Sequence, residues 1–237
     1  MPLSRSSIAA GIVGLLIGGG AMALVSGTGG GGGTRTEIEQ IVREYVLANP
    51  EIIPEAMQRL QDREAGKVVD ANRAALETPF GSAWAGAEKG DVVLVEFFDY
   101  ACGFCRKSNP DVDRLLREDQ KLKVVWRELP VLGPDSQAAA EVSLAAARQG
   151  RFRQFYDNLF ALGRPVPAAV AQAQRSVGVT PTPGAPEFQA ELEKNFQLAR
   201  AINASGTPTF VVGDKVLQGA VGYDALKQAI EDARSRG

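Results

Sequence analysis

The run Val92-Val93-Leu94-Val95-Glu96-Phe97-Phe98, followed shortly by Cys102-Gly103-Phe104-Cys105, constrains what this chain can fold into more than any other feature. A continuous apolar run carrying a single acid predicts a strand buried on both faces. Asp111-Val112-Asp113-Arg114-Leu115-Leu116 has helical spacing, so residues 103 to 118 read as a helix, with Pro110 expected to kink it. The two cysteines therefore fall where a central strand gives way to a helix N-terminus. The helix dipole and the unpaired N–H groups at such a terminus stabilise a thiolate. The thiolate is the attacking species in thiol–disulfide exchange, so the placement meets the physical requirement of that chemistry.

Other uses of a C-x-x-C fit less well. A structural zinc needs four N or S ligands, and this chain has two cysteines and no histidine, so carboxylates would have to complete the shell. Covalent haem attachment needs a histidine after the second cysteine, and Arg106 stands there. A disulfide across so short a loop removes little unfolded-state entropy and is a poor staple. Two buried cysteines without a redox role remain the plain alternative. The lack of histidine also removes every His-dependent triad. A net charge of −2 gives no reason to expect nucleic-acid binding. The glycine run at 29–33 neither follows a strand nor precedes the required lysine, so it is no phosphate loop.

The first 27 residues read as membrane-directed. Arg5 supplies a small positive region, and Ile8 to Val25 carries no charge. That length lies between a signal peptide and a spanning helix. Ala21-Met22-Ala23 offers a cleavage site, whereas the glycine-rich linker over 28–35 makes most sense as a tether to a retained anchor. Signal peptide and signal anchor both stay open, and both deliver the remainder to a compartment that permits disulfides.

Residues 36–77 read as a helical arm. Ile38, Ile41, Val42, Tyr45 and Val46 form one apolar stripe, Asn49-Pro50 interrupts it, and Ile53, Met57 and Leu60 begin a second. The arm has too few apolar residues for a core of its own, so it packs on its own domain or against another copy of the chain. Residues 78–90 read as loop, punctuated by Pro79, Gly81, Gly86 and Gly90. Leu122 to Leu129 alternates like a strand with one wetter face. Residues 134–200 are mostly helical; the aromatic stripe Phe152, Phe155, Tyr156, Leu159 and Phe160 predicts core packing. Gly206 to Val212 returns to strand, a turn at Gly213-Asp214-Lys215 and Val216 to Gly219 make it a hairpin, and Tyr223 to Ala233 reads as a closing helix. The order predicts one α/β sheet interrupted by a helical insertion at about 132–202.

With Glu96-Phe97-Phe98-Asp99-Tyr100-Ala101-Cys102-Gly103-Phe104-Cys105 as one signature and Gly206-Thr207-Pro208-Thr209-Phe210 as the other, the chain resembles the thioredoxin superfamily, in its DsbA-like branch. Tyr45-Val46-Leu47-Ala48-Asn49-Pro50-Glu51 is similar to the N-terminal region of ScsC-like members. The resemblance implies a thioredoxin fold with a helical insertion over 78–237, acting as a thiol–disulfide interchange enzyme of the periplasm. Its redox centre would be the Cys102–Cys105 disulfide, with no metal and no other cofactor. Cys102 matches the exposed, low-pKa nucleophile and Cys105 the buried resolving thiol. Thr207 and Pro208 match the cis-proline loop that binds substrate backbone. Glu96 matches the buried acid that handles the resolving cysteine's proton; its plainer reading is an acid paired structurally, with Lys215 as the partner. Gly103-Phe104 replaces the Pro-His of DsbA itself, which implies a less oxidising centre suited to reduction or isomerisation. Implied partners are protein substrates with thiols or disulfides, a membrane redox partner of unspecified kind, and a homo-oligomer formed through the arm. A membrane-tethered chaperone or copper(I)-binding resistance factor on the same fold is the alternative, since two thiolates are soft ligands.

Overall fold

The computed structural model describes residues 34–236. The membrane-directed segment and most of the glycine-rich linker lie outside them. Among the described residues no helix is long and apolar enough to cross a membrane.

Helix α1 (Arg35–Ala48) opens on a reciprocal cap: Glu37 N–H donates to Thr34 Oγ1 at 3.3 Å, and Thr34 N–H donates to the Glu37 carboxylate at 2.6 Å. No α1 side chain is buried; Ile38, Ile41, Val42 and Tyr45 all face solvent. The interruption expected at Asn49-Pro50 separates α1 from α2 (Ile52–Glu77). In α2, Met57 and Leu60 are exposed, while Val69 and Leu76 are buried.

A five-stranded sheet has the order β1-β3-β2-β4-β5, with β1 (Trp84–Gly86), β2 (Val92–Phe98), β3 (Leu122–Glu128), β4 (Thr209–Val212) and β5 (Lys215–Gln218). β2 and β3 run parallel; β1, β4 and β5 join antiparallel. The parallel pair is bridged by α3 (Gly103–Glu118). Between β3 and β4 the chain forms α4 (Pro134–Arg148), α5 (Phe152–Leu162), α6 (Pro167–Val177) and α7 (Pro186–Ala201), and α8 (Tyr223–Arg236) closes it. This is a thioredoxin-like fold with a mixed sheet.

Alternation along the strands makes two cores. On one face Leu94, Phe98, Val124, Trp126 and Phe210 pack with Cys105, Val112 and Leu115 of α3, with α8, and with the aromatic stripe of α5. Phe98 meets Tyr100 and Tyr156 edge to face at 5.1 and 5.0 Å, the geometry aromatic quadrupoles favour. On the other face Val95, Phe97, Val125 and Val211 pack with Val69 and Leu76 of α2 and Leu198 and Ile202.

Two expectations change. The expected loop at 78–90 contains the edge strand β1, too short at three residues to show a period; Gly86, at φ 89°, ends it where a Cβ would strike the Leu122 carbonyl. The wetter face expected for β3 does not exist, because β1 and β2 flank the strand and helices cover both sides. Trp126, Arg127 and Glu128 are all buried. Arg127 is tolerated there because its donors are used. It donates to the Leu76 carbonyl at 2.8 Å, to the Ala75 and Thr78 carbonyls, to Glu191 at 3.0 Å and to Asn195 at 2.8 Å. One guanidinium thus caps the C-terminal end of α2 and joins it to β3 and α7.

Candidate active site

The site begins at the end of β2. Asp99 accepts four hydrogen bonds: from Ala101 N–H at 2.8 Å, Val131 N–H at 2.9 Å, Leu132 N–H at 3.0 Å and Ser136 Oγ at 2.7 Å. Its carbonyl also receives Cys102 N–H at 3.0 Å. One buried carboxylate therefore fixes the turn into α3 and binds it to the loop that carries Val131 and Leu132, both exposed.

Cys102 is the N-cap of α3, and its sulfur accepts from Cys105 N–H at 3.3 Å. A sulfur in this position takes the place of the usual capping oxygen and meets the positive end of the dipole. The Cys105 thiol also donates to it, and this is the largest cause of a Cys102 pKa lowered from 9.0 to about 5; the Thr207 side chain and the Cys105 and Phe104 N–H groups add to the shift, against the effect of burial. Cys105 goes the other way. Burial raises its pKa, and its bond to Cys102 and the charge of Glu96 raise it further. Both cysteines are free thiols. Cys102 was expected to be exposed; it is 5% exposed against none for Cys105, because the Thr207 loop lies over it. Its sulfur is 3.2 Å from the Thr207 carbonyl oxygen, and the Thr207–Pro208 peptide is cis.

Gly103 and Phe104 are exposed, and a Cβ at Gly103 would meet nothing within 4 Å. The dipeptide faces solvent and is free to vary without repacking the core. Glu96 sits beneath the cysteines, fully buried. Burial raises its pKa to about 8, partly offset by a hydrogen bond from Trp126 Nε1 at 2.9 Å. Its Oε1 has no partner. The expected ion pair with Lys215 is absent, since Lys215 binds Asp232 at 2.6 Å across the β5–α8 contact. The structure thus gathers Cys102, Cys105 and Thr207, with Pro208 next to Thr207, and sets Glu96 on the same face of the sheet. Asp99 and Trp126 carried no signal of a site role in the sequence. Trp126 becomes visible once β2 and β3 are known to be parallel, because the register then places it opposite Glu96. Among the described residues no three His, Cys, Asp or Glu side chains gather as a metal site would need.

Residues 93–231 match the DSBA-like thioredoxin domain, and residues 35–66 match the N-terminal domain of copper resistance protein ScsC. A linker-deletion mutant of ScsC from Proteus mirabilis superimposes with a TM-score of 0.70 at 26% identity, covering 85% of this chain and 95% of that one. Disulfide bond formation protein D of Bacillus subtilis is 27% identical over 64% of this chain and 76% of the relative. The Na(+)/H(+) antiporter NhaA 3 of Salinispora tropica is 31% identical over 62% of this chain but only 24% of its own length, so the chain spans about a quarter of that relative.

Proposed function

The chain belongs to the family of DsbA-like thioredoxin domains, which are thiol–disulfide oxidoreductases, and on that footing we propose that it exchanges disulfides with protein substrates in the periplasm. Cys102 thiolate attacks a substrate disulfide to form a mixed disulfide, and Cys105 then displaces the substrate sulfur. Oxidation of a substrate runs through the same steps in reverse. The observation that carries this reading is the opposed pair of thiols. Cys102 is held at about 5, so it is thiolate at neutral pH, while Cys105 is kept protonated until the mixed disulfide calls for it. Thr207 and Pro208 are assigned to substrate backbone beside the sulfurs, and Gly103 and Phe104 to setting the potential.

Residues 1–27 are assigned to export, as signal peptide or anchor, and the glycine-rich stretch up to the Thr34 cap of α1 to a linker. The arm at 36–77 is assigned to self-association, on the strength of its exposed row Ile38, Ile41, Val42 and Tyr45. Several copies joined there would present several redox centres to one substrate, which suits isomerisation. The test is insulin reduction followed by light scattering, with wild type and Cys102→Ser compared. Turnover that disappears in the variant supports exchange. The match of the arm to a copper resistance protein's N-terminal domain favours a second reading, copper(I) held by the two thiolates. Stoichiometric copper(I) binding by wild type with no insulin turnover would favour that reading instead.

A further inference from the structure

Resting on the exchange reading, we infer that Trp126 is a positioning residue of the reaction: its indole N–H holds Glu96 by one carboxylate oxygen and leaves the other free to take the proton of Cys105. Glu96 and Trp126 are direct register partners on the parallel strands β2 and β3. Their side chains leave the sheet on the face where Cys105 and Tyr156 are buried. The indole is a donor only, so the 2.9 Å bond fixes Glu96 Oε2 as an acceptor. Oε1, with no partner, is where a proton is taken up.

The other groups facing Glu96 are engaged elsewhere. Tyr156 OH, from α5, donates to Asn109 at 2.9 Å. Arg153, also from α5, binds Asp113 of α3 at 2.6 Å and Asp157 at 2.9 Å. Asp113 and Cys102 act on Glu96 through their charge alone, as does Arg153 in the opposite sense. From β4 the register partner is Phe210, which carries no charge. Among the described residues Trp126 is therefore the single hydrogen-bond donor to Glu96.

The step balances as follows. In the mixed disulfide between Cys102 and a substrate, Cys105 gives its proton to Glu96 Oε1. The Cys105 thiolate attacks Cys102 Sγ, the Cys102–Cys105 bond forms, and the bond from Cys102 to the substrate sulfur breaks. The substrate sulfur leaves with the electron pair and is protonated by water. The two protein thiols are oxidised by two electrons and the substrate disulfide is reduced.

A hydrogen bond to the ionised form favours that form, so removing the indole shifts Glu96 toward its neutral state. The probe is the mixed disulfide of Cys102 with glutathione, in which Cys102 does not titrate. Its release of glutathione is followed against pH for wild type, Trp126→Phe and Glu96→Gln, beside infrared titration of the buried carboxyl and of Trp126 emission. In wild type, release, carboxyl and emission share one midpoint, held above the usual carboxylate value by burial. In Trp126→Phe the release and carboxyl midpoints rise by about one unit, so release at a pH below both midpoints slows about tenfold. In Glu96→Gln the inflection and the emission change vanish. Unchanged midpoints in Trp126→Phe overturn the assignment. If that variant does not fold, wild-type emission that stays flat across the same range overturns it. Absence of glutathione release at every pH counts against exchange itself, while the carboxyl and emission midpoints still judge Trp126.

Discussion

Cys102, held at about 5 when folded and at 9.0 when unfolded, stabilises the reduced protein fully above pH 9 and loses that contribution as pH falls through 5. Glu96 has the opposite sign. Its folded value near 8 lies above the usual 4.5, so its contribution is complete below 4.5 and is lost as pH rises through 8. Cys105 is raised above 9.0 and changes stability only at higher pH. Between about pH 5 and 8 the first two slopes oppose each other at roughly 1 kcal/mol per pH unit and nearly cancel. Chemical denaturation of reduced Cys102→Ser should show stability falling across that window. Reduced Glu96→Gln should show it rising. The same opposition predicts reactivity: at pH 7 Cys102 should alkylate much faster than Cys105, and equal rates by mass spectrometry would count against nucleophile and resolver.

The turn from β2 into α3 depends on one side chain. Asp99→Ala leaves Ala101, Val131 and Leu132 N–H and Ser136 Oγ without their acceptor, and the loss should cost about 3 kcal/mol in urea titration. It should also free the Val131–Leu132 loop, so amide exchange there should speed up more than in β4. Arg127→Ala removes the clamp on the end of α2 and leaves buried Glu191 with Lys194 as its one remaining ion pair, at a cost of about 3 kcal/mol. Arg127→Lys should recover little of this, because an ammonium cannot reach five acceptors in one plane.

At the level of the whole molecule, the arm is two things joined end to end. Val69 and Leu76 belong to the core beneath the sheet, so a chain shortened to begin after residue 76 should lose both of them, with two of Arg127's five acceptors, the Ala75 and Leu76 carbonyls, and unfold. A chain beginning at Pro54 keeps them and lacks α1 with its exposed row. Light scattering at tens of micromolar, or about that, should find this chain monomeric and the chain beginning at Thr34 oligomeric. A monomer in both cases overturns self-association through α1.

The apolar run at 92–98, the cysteine spacing and the order of the later elements determined an α/β sheet with a helical insertion by themselves, because burial on both faces and a helix start are properties of a short stretch of chain; the thioredoxin fold came from the resemblance carried by 96–105 and 206–210. The helical arm, its break at Asn49-Pro50 and the core role of the α5 aromatics were legible for the same reason. What the sequence left open depends on partners distant along the chain. β1 exists because β3 lies beside it, and β3 has no wet face because strands flank it and helices cover it. Lys215 bonds Asp232, seventeen residues away, so Glu96 is left to Trp126, thirty residues away on the neighbouring strand. Cys102 is covered by a carbonyl 105 residues downstream. Period and composition report what a residue is and which face of its element it occupies; only the register between elements decides what that face meets.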